Sequence, residues 1–310
     1  MRTVAVPPRQ RSLSSNGSCA PFPDRGHVSL SRRTLLTAAG LGALGACTSN
    51  NSSKSHSSDV PTTSPATPKN RLSSPAVSRE EIIARYGDIA PTEWGINLPG
   101  VTTRLPTTEK VVALTFDACS GANGSGYDET LVNVLRKHQV PATLFLNNRW
   151  VAENLEMFRR LATDSLFEVG NHGTAHRPLS VSGRSAYGIA GTRDAGEVFD
   201  EVATNHIKLT QLLGQPPRFF RPGTAHCDNV ATRIAADLGE QLVNFDINGD
   251  AGATFTAVQV EQAVLKARPG SIVIGHMNQP TSGTAQGIDA AIPQLTSSGF
   301  RFVQLSKYLP

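Results

Sequence analysis

From Lys110 onward, short apolar runs alternate with longer segments of helical periodicity. The runs fall at 111–116, 142–146, 166–170, 218–221, 241–245, 271–275 and 300–304, which gives seven predicted strands. The first, from Val111 to Phe116, is too continuously apolar for a strand with one face in water, so burial on both of its faces is expected. Segments at about 127–138, 152–163, 196–213, 228–238, 256–267 and 287–297 carry apolar residues near a 3.6 period, as Leu131, Val134 and Leu135 or Val198, Val202, Leu209, Leu212 and Leu213 do. Such alternation predicts parallel strands joined by right-handed crossover helices. Roughly 200 residues in one unbroken series predict a single α/β domain, either a barrel or an open sheet.

Ahead of this series, Ser78-Arg79-Glu80-Glu81 has the form of a capping box. It predicts a helix running into Ile82, Ile83 and Tyr86 and stopped by Gly87. Residues 79–109 form a lead-in to the domain at 110–310, with Trp94 and Leu98 expected to pack against it as a plug. From 47 to 78 the chain is Ser, Thr, Asn, Pro and Lys with almost no large apolar group. Burial cannot offset the entropy of ordering such a stretch, so a flexible tether is expected. Residues 1–46 place Arg32-Arg33 just before an apolar run from Leu35 to Ala46, ending Leu44-Gly45-Ala46-Cys47. That run is too short to span a bilayer and reads as an export signal. It resembles a twin-arginine signal fused to a lipoprotein cleavage box, although the 28 residues before Ser29 are long for a leader's charged region. The resemblance implies an exported protein, lipid-anchored through Cys47 to the outer face of the cell membrane.

Charge changes with the leader. The 310-residue chain has a formal charge of +4, but six arginines and one aspartate lie in residues 1–46. The remainder has 23 basic against 24 acidic side chains, a formal charge of -1. The compositional case for a nucleic-acid partner disappears with that surplus. No obligate protein partner is indicated either. Of the four cysteines, Cys19 lies in the leader and Cys47 takes the lipid, leaving Cys119 and Cys227. In an oxidising exterior these either pair or remain two separate buried thiols, and their spacing has no zinc-thiolate signature.

Candidate chemistry gathers where strands end. Asp117 closes the first predicted strand before the Gly/Ser/Asn-rich turn 120–126. An acid there either caps the next helix or carries chemistry, because barrels and open sheets place their sites at strand carboxyl ends. His172 and His176 follow another strand end, four residues apart, a spacing at which two imidazoles can converge on one ion at roughly 2.0–2.1 Å. Asn171 either orients a ligand or ends the strand. Arg221 leaves a strand onto the stiff turn Pro222-Gly223, where it can hold a carboxylate, with Asp117 the obvious candidate. His276 ends a further strand, where an imidazole can act as a general acid. An aspartate from the preceding strand end, Asp246 or Asp250, would fix its tautomer, although Asp250 also suits a turn.

These motifs resemble, in order and from Lys110 to about Leu305, those of the NodB-homology polysaccharide deacetylases, a carbohydrate esterase family 4-like group. Such enzymes remove N-acetyl groups from chitin-like sugars and peptidoglycan. Thr115-Phe116-Asp117 matches their Thr-Phe-Asp-Asp motif, Asn171-His172-Gly173-Thr174-Ala175-His176 the histidine motif, and Arg221-Pro222-Gly223-Thr224-Ala225 stands for Arg-Pro-Pro-Tyr-Gly. The segments at Asp246 to Asp250 and at His276 match the last two loosely. The resemblance implies a distorted, incomplete (β/α)7 barrel and hydrolysis of a non-peptide amide bond in an extracellular N-acetylated polysaccharide. A divalent ion, zinc in most relatives, would sit on His172 and His176. Asp117 would be the base, Arg221 its orienting partner, the Thr224 N–H an oxyanion donor and His276 the acid. Two departures stand out. The family's metal-binding second aspartate is Ala118 here, so Asp128, a water held by the 120–126 loop or His226 would have to supply the third ligand, with Asp128 favoured. The motif-three aromatic is also missing. The alternative is a catalytically weakened carbohydrate-binding or wall-associated protein on the same fold.

Overall fold

The computed structural model describes residues 75–121 and 124–310. The twin-arginine-like run, Cys47 and all but the last residues of the expected tether lie outside the described residues. Among the described residues, no helix is long and apolar enough to cross a membrane.

The lead-in comprises α1 (Arg79–Tyr86), β1 (Trp94–Gly95) and β2 (Val101–Thr102). The capping box is formed: the Glu81 N–H donates to Ser78 Oγ at 3.2 Å and the Ser78 N–H donates to Glu81 Oε2 at 2.7 Å. Gly87 is the C-cap. The alternating series then runs β3 (Val111–Ala118), α2 (Glu129–Lys137), β4 (Ala142–Leu146), α3 (Asn148–Glu153), α4 (Leu155–Ala162) and β5 (Phe167–Asn171). It continues with α5 (Ala195–Leu213), β6 (Phe219–Phe220), β7 (Cys227–Asp228), α6 (Asn229–Asp237), β8 (Gln241–Val243) and β9 (Ile247–Asn248). Last come α7 (Ala257–Val264), β10 (Ser271–His276), α8 (Thr284–Ser297), β11 (Arg301–Phe302) and a 3-10 turn at Leu305–Lys307.

All seven predicted strands are present. The helix expected over 152–163 is instead two, broken at Asn154, whose side-chain amide donates to the carbonyls of Ser125 and Trp150 at 3.1 Å. The two-residue strands β1, β2, β7 and β9 are too short to leave a pattern in the sequence.

The main sheet has the order β2-β8-β6-β5-β4-β3-β10-β9, with β11 added beside β3 and every strand pair parallel. The sheet curls into a half-barrel, and its path ends at β2 and β9 without joining them, which is the incomplete (β/α)7 barrel. β3 sits centrally and is buried along its whole length. Its side chains alternate between two cores. Val112, Leu114, Phe116 and Ala118 belong to the cluster shared with α2, α3, α4, α7 and α8. Val111 and Ala113 belong to the barrel interior with Phe145, Phe219, Val243 and Ile272, where Leu305 and Leu309 also pack. A third cluster joins α1, α5 and α6 to the sheet. There Tyr86 Oη donates to Asp237 at 2.7 Å, and Arg79 pairs with Asp200 at 2.9 Å, so the lead-in is part of the packed domain.

Candidate active site

The site is assembled from strand ends. In the register of β3 with β10, Asp117 is opposite His276, which places a carboxylate and an imidazole on adjacent strands about 4.8 Å apart. Both residues are buried.

Arg221 leaves β6 with its N–H donating to Asn171 O at 2.9 Å, and its side chain enters the barrel interior. The guanidinium lies 4.1 Å from the Phe145 ring centroid and is 0% exposed. Its Nε donates to Val243 O at 2.9 Å, Nη2 to Asn244 O at 3.1 Å and Nη1 to Asp117 Oδ1 at 2.8 Å. Burial draws its pKa down against the opposing pull of Asp117. The fork geometry therefore fixes one oxygen of Asp117 and leaves Oδ2 toward the histidines.

His172 Nδ1 lies 2.9 Å from Arg221 O. A carbonyl only accepts, so Nδ1 carries the proton and Nε2 has the lone pair. That Nε2 is 3.5 Å from Asp117 Oδ2 and 3.6 Å from Cys119 Sγ. The His176 ring stands at 83° to that of His172 with centroids 5.0 Å apart. Its Nε2 is buried without a hydrogen-bond partner. Ligand atoms of Cys119, His172 and His176 all lie within 4.8 Å of one another. For a tetrahedral ion with sulfur at ~2.3 Å and nitrogen at ~2.05 Å, sulfur and nitrogen would be about 3.6 Å apart and the two nitrogens about 3.3 Å. The Cys119–His172 separation agrees with this. Two imidazole nitrogens and one sulfur thus fit a transition-metal ion, and the orphaned His176 Nε2 would gain the partner it lacks.

The structure brings His172 and His176 together but does not bring Asp128 to them. Asp128 instead caps α2, its Oδ1 accepting from the Leu131 N–H at 2.9 Å, and burial raises its pKa. The expected replacement ligand is therefore a helix cap, and the third donor in the cluster is Cys119. No disulfide joins Cys119 to Cys227. The Cys227 sulfur lies 3.8 Å from Gly95 O, and burial pushes its thiol up to about 12. His226 also stands apart: its Nδ1 meets Thr224 O at 2.8 Å, and its ring lies 5.8 Å from Trp94 and 5.1 Å from Tyr187. Trp94 thus packs at this rim, held there by the pairing of β1 with β7.

The choice between the two aspartates is settled by register. β9 pairs with the middle of β10 at Val273 and Ile274, and Gly249 N–H donates to Ile274 O at 2.8 Å. That carries Asp250 to His276: Oδ1 is 2.8 Å from Nδ1, Oδ2 accepts from the His276 N–H at 2.6 Å, and Thr284 Oγ1 adds a bond at 3.0 Å. Asp246 lies at the opposite end of β10, where it accepts from Ser271 Oγ and the Ile272 N–H, each at 2.9 Å, and pairs with Arg104. It is a structural residue and does not touch His276.

The histidine loop is braced from helix α5. Glu201 is buried, and its carboxylate accepts from the N–H groups of Thr174, Ala175 and Arg177 at 2.9–3.1 Å. A Cβ on Gly173, whose φ is +76°, would come within 2.5 Å of Glu201 Oε1. Asn171 adds a second brace, its Oδ1 accepting from the Gly173 N–H at 2.9 Å and from Asn205 Nδ2 at 2.7 Å. Asn171 therefore supports the loop and does not face the cluster. On the other side a Cβ on Gly223 would lie 2.4 Å from the His176 carbonyl carbon. Thr224 is the next residue of this turn and is buried. Between these braces His176 takes a left-handed φ of +61°.

The sequence profile of the polysaccharide deacetylase family matches residues 104–243. The chitooligosaccharide deacetylase of Bradyrhizobium sp. is 30% identical over 203 residues, covering 61% of this chain and 86% of that protein. The peptidoglycan-N-acetylmuramic acid deacetylase PdaA of Bacillus subtilis is 25% identical over 206 residues, 63% of this chain and 70% of that protein. The Bacillus subtilis protein YlxY is 26% identical over 178 residues, 57% of this chain, which spans about half of that relative at 51%. Among solved structures, a CE4 family pseudoenzyme from Bacillus anthracis aligns with a TM-score of 0.57 at 25% identity, over 72% of this chain and 70% of that one. A mutant of it with restored enzymatic activity aligns at 0.57 and 26%, over 72% and 73%. This chain belongs to the polysaccharide deacetylase family.

Proposed function

We propose that the protein is a metal-dependent hydrolase that removes N-acetyl groups from an N-acetylated glycan of the peptidoglycan or chitin type. The observation that carries this reading is the convergence of an oriented carboxylate, an oriented imidazole and a cluster of metal-binding donors at one end of the half-barrel. Simple sugar binding requires no such set. The acetyl-bearing substrates of PdaA and the chitooligosaccharide deacetylase support the substrate class.

His172 and His176 would hold the ion, for which zinc is the proposed identity. Such an ion, when bound, polarises the acetyl carbonyl and lowers the pKa of its water. Asp117 Oδ2, positioned by the Arg221 fork on Oδ1, accepts the proton of the attacking water. The Thr224 N–H, on the turn packed against His176, is assigned to the developing oxyanion. Asp250 holds Nδ1 of His276, which assigns proton delivery to the leaving amine to Nε2. Export and lipid anchorage through Cys47 complete the proposal and rest on the sequence alone.

The test is acetate release from chitooligosaccharides and from peptidoglycan by the zinc-loaded protein. Asp117→Asn and His276→Ala are each expected to lower kcat by at least about 100-fold, the scale of a lost acid or base. Glycan binding without acetate release, across several divalent ions, would refute the enzymatic reading. It would support instead a weakened glycan-binding protein, which Ala118 and the likeness to a pseudoenzyme favour.

A further inference from the structure

We infer that Cys119 is a metal ligand, and that its sulfur makes this a thiolate site selective for thiophilic divalent ions. The inference rests on the metal-dependent reading above and deepens it. Its starting point is the alternation of β3. Ala118 is 0% exposed and belongs to the apolar cluster under the helices, on the face away from the barrel interior. Asp117 and Cys119, two residues apart at the strand end, turn to the same side. Cys119 Sγ and Asp117 Oδ2 accordingly both approach His172 Nε2, at 3.6 and 3.5 Å. The carboxylate has its own anchor in Arg221, and His172 Nδ1 is engaged by Arg221 O. An outer-shell carbonyl on the far nitrogen is the arrangement that fixes a ligating histidine. With the unpartnered Nε2 of His176 the set is two nitrogens and one sulfur.

A thiolate carries the same single negative charge as the aspartate that the family places one residue earlier, so the charge of the ligand set is kept while its hardness changes. Sulfur donors favour zinc, cadmium and cobalt over oxygen-seeking magnesium and manganese, where a carboxylate discriminates less. Asp117 is left wholly to its role as base.

Cobalt(II) and cadmium(II) titrated into the metal-free protein test this without any turnover. The wild type is expected to develop an ultraviolet sulfur-to-metal charge-transfer band with one equivalent of either ion. A variant with Cys19, Cys47 and Cys227 all replaced by serine should keep the band, and Cys119→Ser should lose it while its circular dichroism stays native. Zinc affinity of Cys119→Ser should fall at least about 100-fold, beyond the 10–100-fold typical of outer-shell losses. Cys119→Asp should recover zinc binding without the band and shift preference toward manganese. A band that survives in Cys119→Ser, or a wild type that binds zinc no more tightly than that variant, would overturn the inference. Metal-dependent acetate release without the band would refute sulfur ligation alone, whereas the band without acetate release would refute only the proposed activity.

Discussion

The interior pair of Arg221 and Asp117 offers the sharpest energetic test of the site. Replacing Arg221 by Met keeps apolar volume over Phe145 but removes three donated hydrogen bonds, to Asp117 Oδ1, Val243 O and Asn244 O. Removing one partner of a buried ion pair costs about 3–5 kcal/mol. The Val243 and Asn244 carbonyls each lose this donor as well, so Arg221→Met should cost at least about 4 kcal/mol, a large part of a domain's stability. Asp117→Asn retains an oxygen acceptor but leaves the buried guanidinium without its counter-charge, for about 3–5 kcal/mol. If the two side chains act as a unit, the double variant will be more stable than the sum of the single losses by about 1–3 kcal/mol. Urea unfolding followed by fluorescence of the fully buried Trp150 reads all three stabilities. Arg221→Lys is included because Arg221→Met lies near the limit of folding. An ammonium cannot reach three acceptors in different directions, and the loss expected is about 2–3 kcal/mol. Additivity within about 0.5 kcal/mol, or an Arg221→Lys protein as stable as wild type, would refute the claim that this fork holds the carboxylate.

Two other outcomes follow from the geometry. Ala225 takes a φ of +60° at the end of the motif-three turn, so Ala225→Gly should raise stability by about 0.5–1 kcal/mol, the relief of left-handed strain less the added freedom of the unfolded chain, as read by thermal unfolding. Glu197 is bonded first by Arg193 and also by Arg177, which together hold its carboxyl down to about 2 from an ordinary 4.5. A folded-state value below the unfolded one stabilises the protein above the ordinary value. The stability difference between wild type and Glu197→Gln should therefore be present near neutral pH, about 0.5 kcal/mol for so open a pair, and vanish as pH falls through about 2. A difference that grows on acidification would contradict this.

The strands and the strand-end carboxylate, arginine and histidines are readable in the sequence because each depends on local periodicity and punctuation. Register is a different matter. Asp246 and Asp250 both follow the predicted strand at 241–245, and only the pairing of β9 with β10 decides which one reaches His276. In the sequence Cys119 reads as a candidate disulfide partner of Cys227. The signal of its position is the two-residue separation from Asp117, because that spacing puts both on one face of a strand. Glu201 left a fainter trace. It stands on α5 between Val198 and Val202, within the apolar stripe, where an unpaired acid has no packing reason to be. Asp128 has an ordinary property instead: an acid at the start of a helix usually caps it, and here it does.

The brace from Glu201 has a bearing on how the centre is made. Three amides of the histidine loop are gathered by one carboxylate that belongs to the scaffold, and a glycine from the neighbouring turn closes the other side. The geometry of the histidine loop is thus written into the polypeptide itself. In metal-folded domains the ion must organise its own ligands, and much of its binding energy is spent on that ordering. Here the scaffold has already done so. At the proposed centre, capture, loss and exchange of an ion would then be local events, and the occupant would be set by the donor atoms together with the ions its surroundings supply.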